Sequence, residues 1–240
     1  MAQQIETLLF DFGGTLDADG VAWKERFHAH YRAEGLDITA ESFAPIFYAA
    51  DGPLVGDLPL DADLSETVHG LTANLEAELA RRNGDAAKRH VEGDRGERVA
   101  ARFLSEASMA FARNRPLLEA LRGRYRLGVV SNFYGNLEAV CHGAGLAPLF
   151  GVIVDSHRVG AEKPDPAIFR AALEPLCAKA ETTLFVGDSL RRDREGARRI
   201  GMGFLWIAPR DVQASEVQAA KAPRDHSAIA RLGDLAEILA

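Results

Sequence analysis

The sequence contains little cysteine and no long apolar run. Its two cysteines, Cys141 and Cys177, are too few for a disulfide framework and lack metal-ligand spacing. The longest apolar stretches, such as residues 127–130 with their flanks, fall far short of a bilayer-spanning helix. The first residues lack a basic segment followed by an apolar one, so we expect no signal peptide, no membrane partner and a cytoplasmic location.

Basic residues are also in the minority. Lys and Arg number 28 against 35 Asp and Glu, which gives a formal net charge of −7. A general nucleic-acid binder or anionic-membrane binder needs a basic face, so this balance argues against both classes. The remaining composition is ordinary, because 47% hydrophobic and 26% charged residues in a chain of 240 are typical of one large globular domain or two modest ones.

Short apolar segments alternate with helical patterns along most of the chain. We predict strands in residues 5–10, 127–130, 151–154, 183–186 and 203–207. We predict helices in residues 116–122, 136–144, 166–178 and 191–200. Pro116 and Pro166 stand near helix starts, where a missing N–H is harmless. Apolar strands that alternate with helices indicate a three-layer, Rossmann-like α/β core with a parallel sheet.

Polar residues directly follow several of the predicted strands. Asp11, Ser131, Asp155 and Asp188 each stand where a strand ends. In open parallel sheets, ligands bind in the crevice beyond the carboxyl ends of the strands. The sequence therefore predicts a functional site at that edge of the sheet.

One long stretch interrupts the alternation of strands and helices. It has no convincing strand, and its helical patterns cover residues 22–34, 40–50, 64–82 and 96–113. We interpret it as an all-helical domain inserted after the first strand, with hinges at 17–20 and 114–116. The predicted organisation is a core of residues 1–18 and 114–240 and an inserted domain of residues 19–113.

Four separated segments carry most of the chemistry. They are residues 10–16 (FDFGGTL), 129–132 (VVSN), 163–166 (KPDP) and 186–193 (VGDSLRRD). In this order and with these gaps, they resemble the signatures of the haloacid dehalogenase-like hydrolase superfamily, in its phosphatase branch. The inserted domain is similar to the helical cap of that superfamily. The resemblance implies hydrolysis of a small phosphorylated metabolite through an aspartyl-phosphate.

The resemblance implies a role for each matched residue. Asp11 is the nucleophile that attacks phosphorus, and Thr15 helps to orient the phosphate or the nucleophile's loop. Ser131 holds a phosphoryl oxygen, and Asn132 contributes to substrate binding. Lys163 takes part in both catalysis and substrate binding, because its positive charge lets an anionic carboxylate approach an anionic phosphate.

A Mg²⁺ site is implied at the same place. Its ligands are the carboxylates of Asp11, Asp188 and Asp193 and the backbone carbonyl of Gly13, together with the substrate phosphate and waters. Asp193 has an alternative role as an anchor for Lys163 or for the metal-bound waters. An aspartate after a strand also commonly caps a helix, so each residue alone is weaker evidence than the set.

The sequence departs from the family pattern two residues after the nucleophile. The phosphatase signature usually carries a second aspartate there, as general acid and then general base, whereas this chain has Gly13. Glycine transfers no proton, and loss of a general acid–base typically costs about 10²–10⁴-fold in rate. The departure affects turnover and not metal binding, because the backbone carbonyl of Gly13 is retained.

Three interpretations follow from Gly13. We favour a working phosphatase whose acid–base comes from elsewhere, with Asp17 and Asp19 as nearby candidates. The second is a degenerate family member that binds phosphate or a partner with little turnover. The third is different chemistry, either a 2-haloacid dehalogenase or a phosphonate hydrolase with a Schiff-base lysine, for which Lys24 and Lys88 are the only lysines of the inserted domain.

An arginine-rich run follows Asp188. Its five arginines are Arg191, Arg192, Arg194, Arg198 and Arg199. They predict a polar, solvated helix face, and a phosphate-facing or partner-binding role is the alternative for the first two.

Overall fold

A parallel β-sheet forms the centre of the protein in a computed structural model, which describes residues 4–83, 94–219 and 228–239. The sheet has six strands in the order β3-β2-β1-β4-β5-β6, and all its pairings are parallel. The strands are β1 Thr7–Phe10, β2 Arg126–Ser131, β3 Val152–Asp155, β4 Thr183–Gly187, β5 Gly203–Ile207 and β6 Ala228–Ile229. The predicted α/β core is confirmed, and β6 is an additional strand, too short at two residues to carry a periodic pattern.

Strand β1 lies inside the sheet, and its last three residues are apolar. Leu8, Leu9 and Phe10 have no exposed surface. Helices cover both faces of such a sheet, so every strand position needs an apolar side chain. The register places Phe10 beside Val129 of β2 and Val186 of β4. Residues that follow these three strands therefore emerge close together at the carboxyl edge.

Helices cover the sheet and fill the chain between β1 and β2. The helices between these strands, here called the helical insert, are α1 Trp23–Ala33, α2 Ala40–Asp51, α3 Leu54–Asp57, α4 Leu64–Asn83 and α5 Arg95–Arg122. The other described helices are α6 Leu137–Gly143, α7 Ser156–Val159, α8 Pro166–Leu173, α9 Glu195–Arg199, α10 Arg210–Ala219 and α11 Leu235–Ile238. Within the described ranges, no helix is both long and apolar enough to cross a membrane.

Helix α5 is the last helix of the insert and runs without a break from Arg95 to Arg122, with residues 123–125 between it and β2. It includes Pro116, so the prediction of a helix start there is wrong, and the predicted hinge at 114–116 falls inside this helix. A proline removes one intrahelical hydrogen bond, but tertiary packing overrides this local signal. Asn114, two residues earlier, is buried and donates from Nδ2 to the carbonyl of Leu16 at 3.1 Å. The proposed domain boundary at residue 114 consequently lies within a helix.

Aromatic side chains join the helical insert to the carboxyl edge of the sheet. Phe27 of α1 stacks on Phe103 of α5 with 4.6 Å between ring centroids, and Trp23 packs edge-on against Phe103 at 5.0 Å. Trp23 also lies edge-on to Phe133, in the loop after β2, at 5.7 Å. Aromatic pairs of this geometry bury large apolar areas. Helix α1 is therefore packed against the segment that follows Ser131.

Candidate active site

Asp11 follows β1 and lies in a buried polar cluster. Its Oδ1 accepts a hydrogen bond from Ser131 Oγ at 2.7 Å and lies 2.6 Å from Lys163 Nζ. Ser131 ends β2, which is the neighbour of β1, so the sheet register sets this contact. Within the described part of the chain, no donor bonds to Oδ2 of Asp11. Ser131 and Lys163 thus hold one carboxylate oxygen of Asp11 in place.

Lys163 links two carboxylates. Its Nζ lies 2.6 Å from Asp11 Oδ1 and 2.7 Å from Asp193 Oδ1, and the lysine side chain is only 2% exposed. Burial tends to lower the pKa of Lys163, but the charges of Asp11 and Asp193 outweigh it and raise the pKa above the ordinary value. The lysine therefore carries a positive charge between two acidic groups at neutral pH.

Asn132 holds the backbone of Lys163 in place. Its Oδ1 accepts a hydrogen bond from the N–H of Lys163 at 2.7 Å, and its Nδ2 donates to the carbonyl of Lys163 at 3.2 Å. Both polar atoms of the amide are thus engaged with one residue. In this structure Asn132 positions the lysine, and its substrate-binding role stays a prediction.

Three carboxylates come together at the carboxyl edge. One oxygen from each of Asp11, Asp188 and Asp193 lies within 4.8 Å of the others. Burial raises the pKa of Asp188 well above its ordinary value, and the charges of Asp11 and Asp193 add to this effect. Lys163 lowers the pKa of Asp188, but burial and the two neighbouring carboxylates outweigh it. A hard divalent cation with oxygen ligands fits this donor set and this charge.

Asp193 is fully buried and uses both of its oxygens. Oδ1 faces Lys163, and Oδ2 accepts a hydrogen bond from the N–H of Ser189 at 2.9 Å. Burial raises the pKa of Asp193 to about 6, against the lowering effect of Lys163. These contacts agree with the alternative role of Asp193 as an anchor for Lys163, while its Oδ atoms remain within reach of the shared acidic cluster.

The loop after Asp11 is shaped by Gly14. It has φ +84°, and a Cβ there would come within 2.7 Å of Asp188 Oδ2. Glycine therefore satisfies both the left-handed backbone and the close approach of Asp188. Thr15 is fully buried, and its hydroxyl has no hydrogen-bond partner among the described residues. The predicted metal contact of the Gly13 carbonyl stays a prediction.

Asp17 accepts hydrogen bonds that connect this loop to α1. Its Oδ1 accepts from the N–H of Gly14 at 2.6 Å, and its Oδ2 accepts from Trp23 Nε1 at 2.8 Å and Arg26 Nη1 at 2.7 Å. Burial raises the pKa of Asp17, and Arg26 opposes this shift. Sequence reasoning missed Trp23 and Arg26, because their contact with Asp17 depends on how α1 packs.

Two other acidic residues lie in structural contacts. Asp155, which ends β3, accepts hydrogen bonds from the N–H groups of Gly135 and His157 at 2.8 and 2.9 Å. Asp19, the second candidate for the missing acid, forms an ion pair with Arg113 at 2.9 Å. Of the strand-end aspartates that the sequence predicts for the site, Asp11 and Asp188 lie in the acidic cluster and Asp155 does not.

The fold agrees with comparisons to known proteins. A family model described as haloacid dehalogenase-like hydrolase matches residues 5–201. The chain is 38% identical over 101 residues to haloacid dehalogenase-like hydrolase domain-containing protein 3 of Mus musculus. The aligned segment covers 42% of this chain and 40% of that protein. It is 35% identical over 128 residues to the phosphoserine phosphatase of Thermus thermophilus, which covers 48% of this chain and 51% of that protein. The chain thus spans about half or less of these relatives.

A solved structure covers the whole fold. The putative HAD-hydrolase YfnB from Bacillus subtilis, bound to magnesium, superposes with a TM-score of 0.55 at 20% identity. The match covers 99% of this chain and 99% of that chain. At this level of identity the likeness concerns the fold.

Proposed function

This chain belongs to the haloacid dehalogenase-like hydrolase family, and from that premise we propose that it is a Mg²⁺-dependent phosphatase of a small phosphorylated metabolite. The observation that carries the proposal is the meeting of Asp11, Lys163, Asp188 and Asp193 at one edge of the sheet. The relative from Thermus thermophilus is a phosphoserine phosphatase, which supports phosphate-ester chemistry. No nucleic acid or membrane is needed as a partner.

In the proposed first step, the free oxygen of Asp11 attacks the phosphorus of the substrate. The bond from phosphorus to the leaving oxygen breaks, its electron pair stays on that oxygen, and an aspartyl-phosphate forms. Ser131 and Lys163 hold the other oxygen of Asp11 and so keep the carboxylate in one orientation. Water then attacks phosphorus, which releases inorganic phosphate and restores the Asp11 carboxylate.

Lys163 and Thr15 have complementary proposed roles. The charge of Lys163 reduces repulsion between the carboxylate and the anionic phosphate, which is the main demand in phosphoryl transfer. The buried hydroxyl of Thr15, which has no hydrogen-bond partner among the described residues, would donate to a phosphate oxygen or steady the nucleophile's loop. We also propose that the inserted domain predicted at residues 19–113 acts as a cap that excludes water during the first step.

The acidic cluster would hold the metal. We propose Mg²⁺ bound by Asp11, Asp188 and the carbonyl of Gly13, with Asp193 as a further ligand or as the anchor of Lys163. When bound, the cation would neutralise phosphate charge and polarise its oxygens.

The phosphonate-hydrolase alternative has little support in the described residues. Lys24 lies 3.2 Å from Glu25. Burial tends to lower the pKa of Lys24, but Glu25 raises it above the ordinary value. A Schiff-base lysine must instead lose its proton readily. Lys88, the other lysine considered, lies outside the described residues.

Metal-dependent release of phosphate from a panel of phosphorylated metabolites tests the proposed function. We expect activity with MgCl₂, none after chelation, and none in Asp11→Asn. Asp57→Asn is the matched control, because Asp57 is exposed on α3 and outside the acidic cluster. Phosphate release by Asp11→Asn at the native rate would contradict the proposal. Metal-independent halide release from a 2-haloacid, without phosphate release, would favour the dehalogenase alternative instead.

A further inference from the structure

The three aspartates of the acidic cluster are held in different ways. Asp11 is held through its side chain, because its Oδ1 lies 2.7 Å from Ser131 Oγ and 2.6 Å from Lys163 Nζ. Asp193 is also held through its side chain, by Lys163 Nζ at 2.7 Å and by the N–H of Ser189 at 2.9 Å. Direct contacts therefore orient the carboxylates of these two residues.

Asp188 lacks such a contact. Within the described ranges of the chain, no side chain donates a hydrogen bond to its carboxylate and no ion pair includes it. Its Oδ2 lies against Gly14, where an added Cβ would come within 2.7 Å. Since glycine has no side chain that could hold an oxygen atom, the orientation of Asp188 depends on how its backbone is held.

Trp206 holds the backbone of Asp188. Its indole Nε1 donates to the carbonyl oxygen of Asp188 at 2.8 Å. Trp206 lies on β5 beside Gly187, the last residue of β4, and is only 5% exposed. A buried indole N–H needs an acceptor, and here the acceptor belongs to the first residue after the neighbouring strand. The indole thus connects β5 directly to the backbone of a residue in the acidic cluster.

The turn after β4 has little room to adjust. A Cβ on Gly187 would clash with Oδ2 of Asp193, and the carboxylate of Asp188 already lies against Gly14. Only the Cα and Cβ atoms separate the backbone carbonyl of Asp188 from its carboxylate group. A shift of that carbonyl would therefore move the carboxylate oxygens relative to those of Asp11 and Asp193.

We propose that Trp206 is a positioning residue for Asp188, and that its hydrogen bond sets the affinity of the acidic cluster for a divalent cation. This inference rests on the proposed function, because it takes the acidic cluster as the metal site. Groups that orient metal ligands from outside typically account for about 10- to 100-fold in metal affinity. A single neutral hydrogen bond to a backbone carbonyl belongs at the lower end of that range.

Substitution of Trp206 tests the inference. Trp206→Phe keeps an aromatic ring and removes the donor. Phe204→Leu is the matched control, because it reduces an aromatic side chain on the same strand, beside Phe185 and away from the end of β4. Isothermal titration calorimetry with MgCl₂ and no substrate measures the affinity. We expect Trp206→Phe to raise the Kd for Mg²⁺ about 10-fold and Phe204→Leu to leave it within about twofold.

Hydrolysis of p-nitrophenyl phosphate separates positioning from a general loss of structure. The rates are compared at a temperature at which all three proteins are folded. With MgCl₂ at the native Kd, Trp206→Phe should be about fivefold slower than native protein, because fewer of its sites hold the cation. With saturating MgCl₂, its rate should return to within about twofold of the native rate.

Three outcomes would overturn the inference while Mg²⁺ binding by the native protein still supports the proposed function. They are an unchanged Kd in Trp206→Phe, an equal rise in Phe204→Leu, and a rate that saturating MgCl₂ does not recover. If Trp206→Phe fails to fold, 3-benzothienylalanine at position 206 keeps the two-ring side chain, replaces N–H by sulfur, and should raise the Kd equally. A native protein that neither binds Mg²⁺ nor hydrolyses p-nitrophenyl phosphate would overturn both proposals.

Discussion

The indole of Trp23 lies against Gly13. A Cβ placed on Gly13 would come within 3.2 Å of Trp23 Nε1 and 3.3 Å of its Cδ1. That Nε1 is held by its hydrogen bond to Asp17, so the indole has little freedom to move away. A side chain from the helical insert therefore fills the space that a larger residue would need two positions after Asp11.

Introducing the missing carboxylate should not restore an acid–base. We expect Gly13→Asp to destabilise the fold by about 1–3 kcal/mol, because it overpacks the contact with Trp23. We also expect no gain in kcat on alkyl phosphates. Urea unfolding and phosphate release measure the two effects. Gly233→Asp adds the same carboxylate where a Cβ would meet nothing within 4 Å, and it should be close to neutral. A stable, faster Gly13→Asp would contradict this account.

Turnover should depend steeply on the leaving group. Gly13 leaves no carboxylate at the position of the missing general acid, and Asp17 is engaged by Gly14, Trp23 and Arg26. A general acid is typically worth about 10²–10⁴-fold in rate. Aryl and acyl phosphates, whose leaving groups need no proton, should therefore react much faster than uncharged alkyl phosphates. The measurement is kcat/KM across a series of leaving-group acidities. A flat series would mean that another residue donates the proton.

Gly14 and Gly35 provide a matched pair of substitutions. Both have φ +84°, but a Cβ at Gly14 would meet Asp188 Oδ2 at 2.7 Å, whereas one at Gly35 would meet nothing within 4 Å. Each alanine variant should lose about 1–2 kcal/mol through left-handed backbone strain. Only Gly14→Ala should also displace Asp188 and weaken metal binding.

Thermal unfolding with and without MgCl₂ measures this difference. A metal that binds only the folded state stabilises it by about 2.7 kcal/mol at 100 times its Kd. We expect this gain in native protein and in Gly35→Ala, and a smaller gain in Gly14→Ala. An equal metal response in both variants would place the cation away from Asp188.

The buried ion pair of Asp17 and Arg26 should contribute more to the free energy of unfolding than the exposed ion pair of Asp19 and Arg113. The side chains of the first pair are 0% and 5% exposed, and those of the second are 28% and 46% exposed. Arg26→Met should cost about 3–5 kcal/mol, because it leaves Asp17 buried and unpaired. Arg113→Met should cost about 0–1 kcal/mol.

Adding Asp17→Asn to Arg26→Met should recover part of the loss, since the uncompensated charge is then removed. Urea unfolding of the single and double variants gives the coupling between the two residues. Additive losses would show that the ion pair does not fasten the loop to α1.

Local sequence patterns were sufficient to predict most strands and helices and to identify the reactive residue types at the strand ends. Continuous apolar segments predicted five of the six strands, because a strand covered on both faces must be apolar at each position. Strands that run parallel present their carboxyl ends at one edge, so Asp11, Ser131 and Asp188 could be expected together before any coordinates were known. Helical spacing likewise located the main helices of the insert.

Tertiary packing decided the rest. Because of tertiary packing, α5 continues past Pro116, the Asn132 side chain bonds to the backbone of Lys163, and Trp23 lies against Gly13. Tertiary packing also joined Tyr134 to Asp51, residues 83 positions apart. Periodicity and propensity describe neighbours within a few residues along the chain, whereas these contacts depend on the angles at which helices pack across distant segments. The residue types at the strand ends identify the kind of chemistry, and the packing of the helical insert determines which groups remain available to perform it.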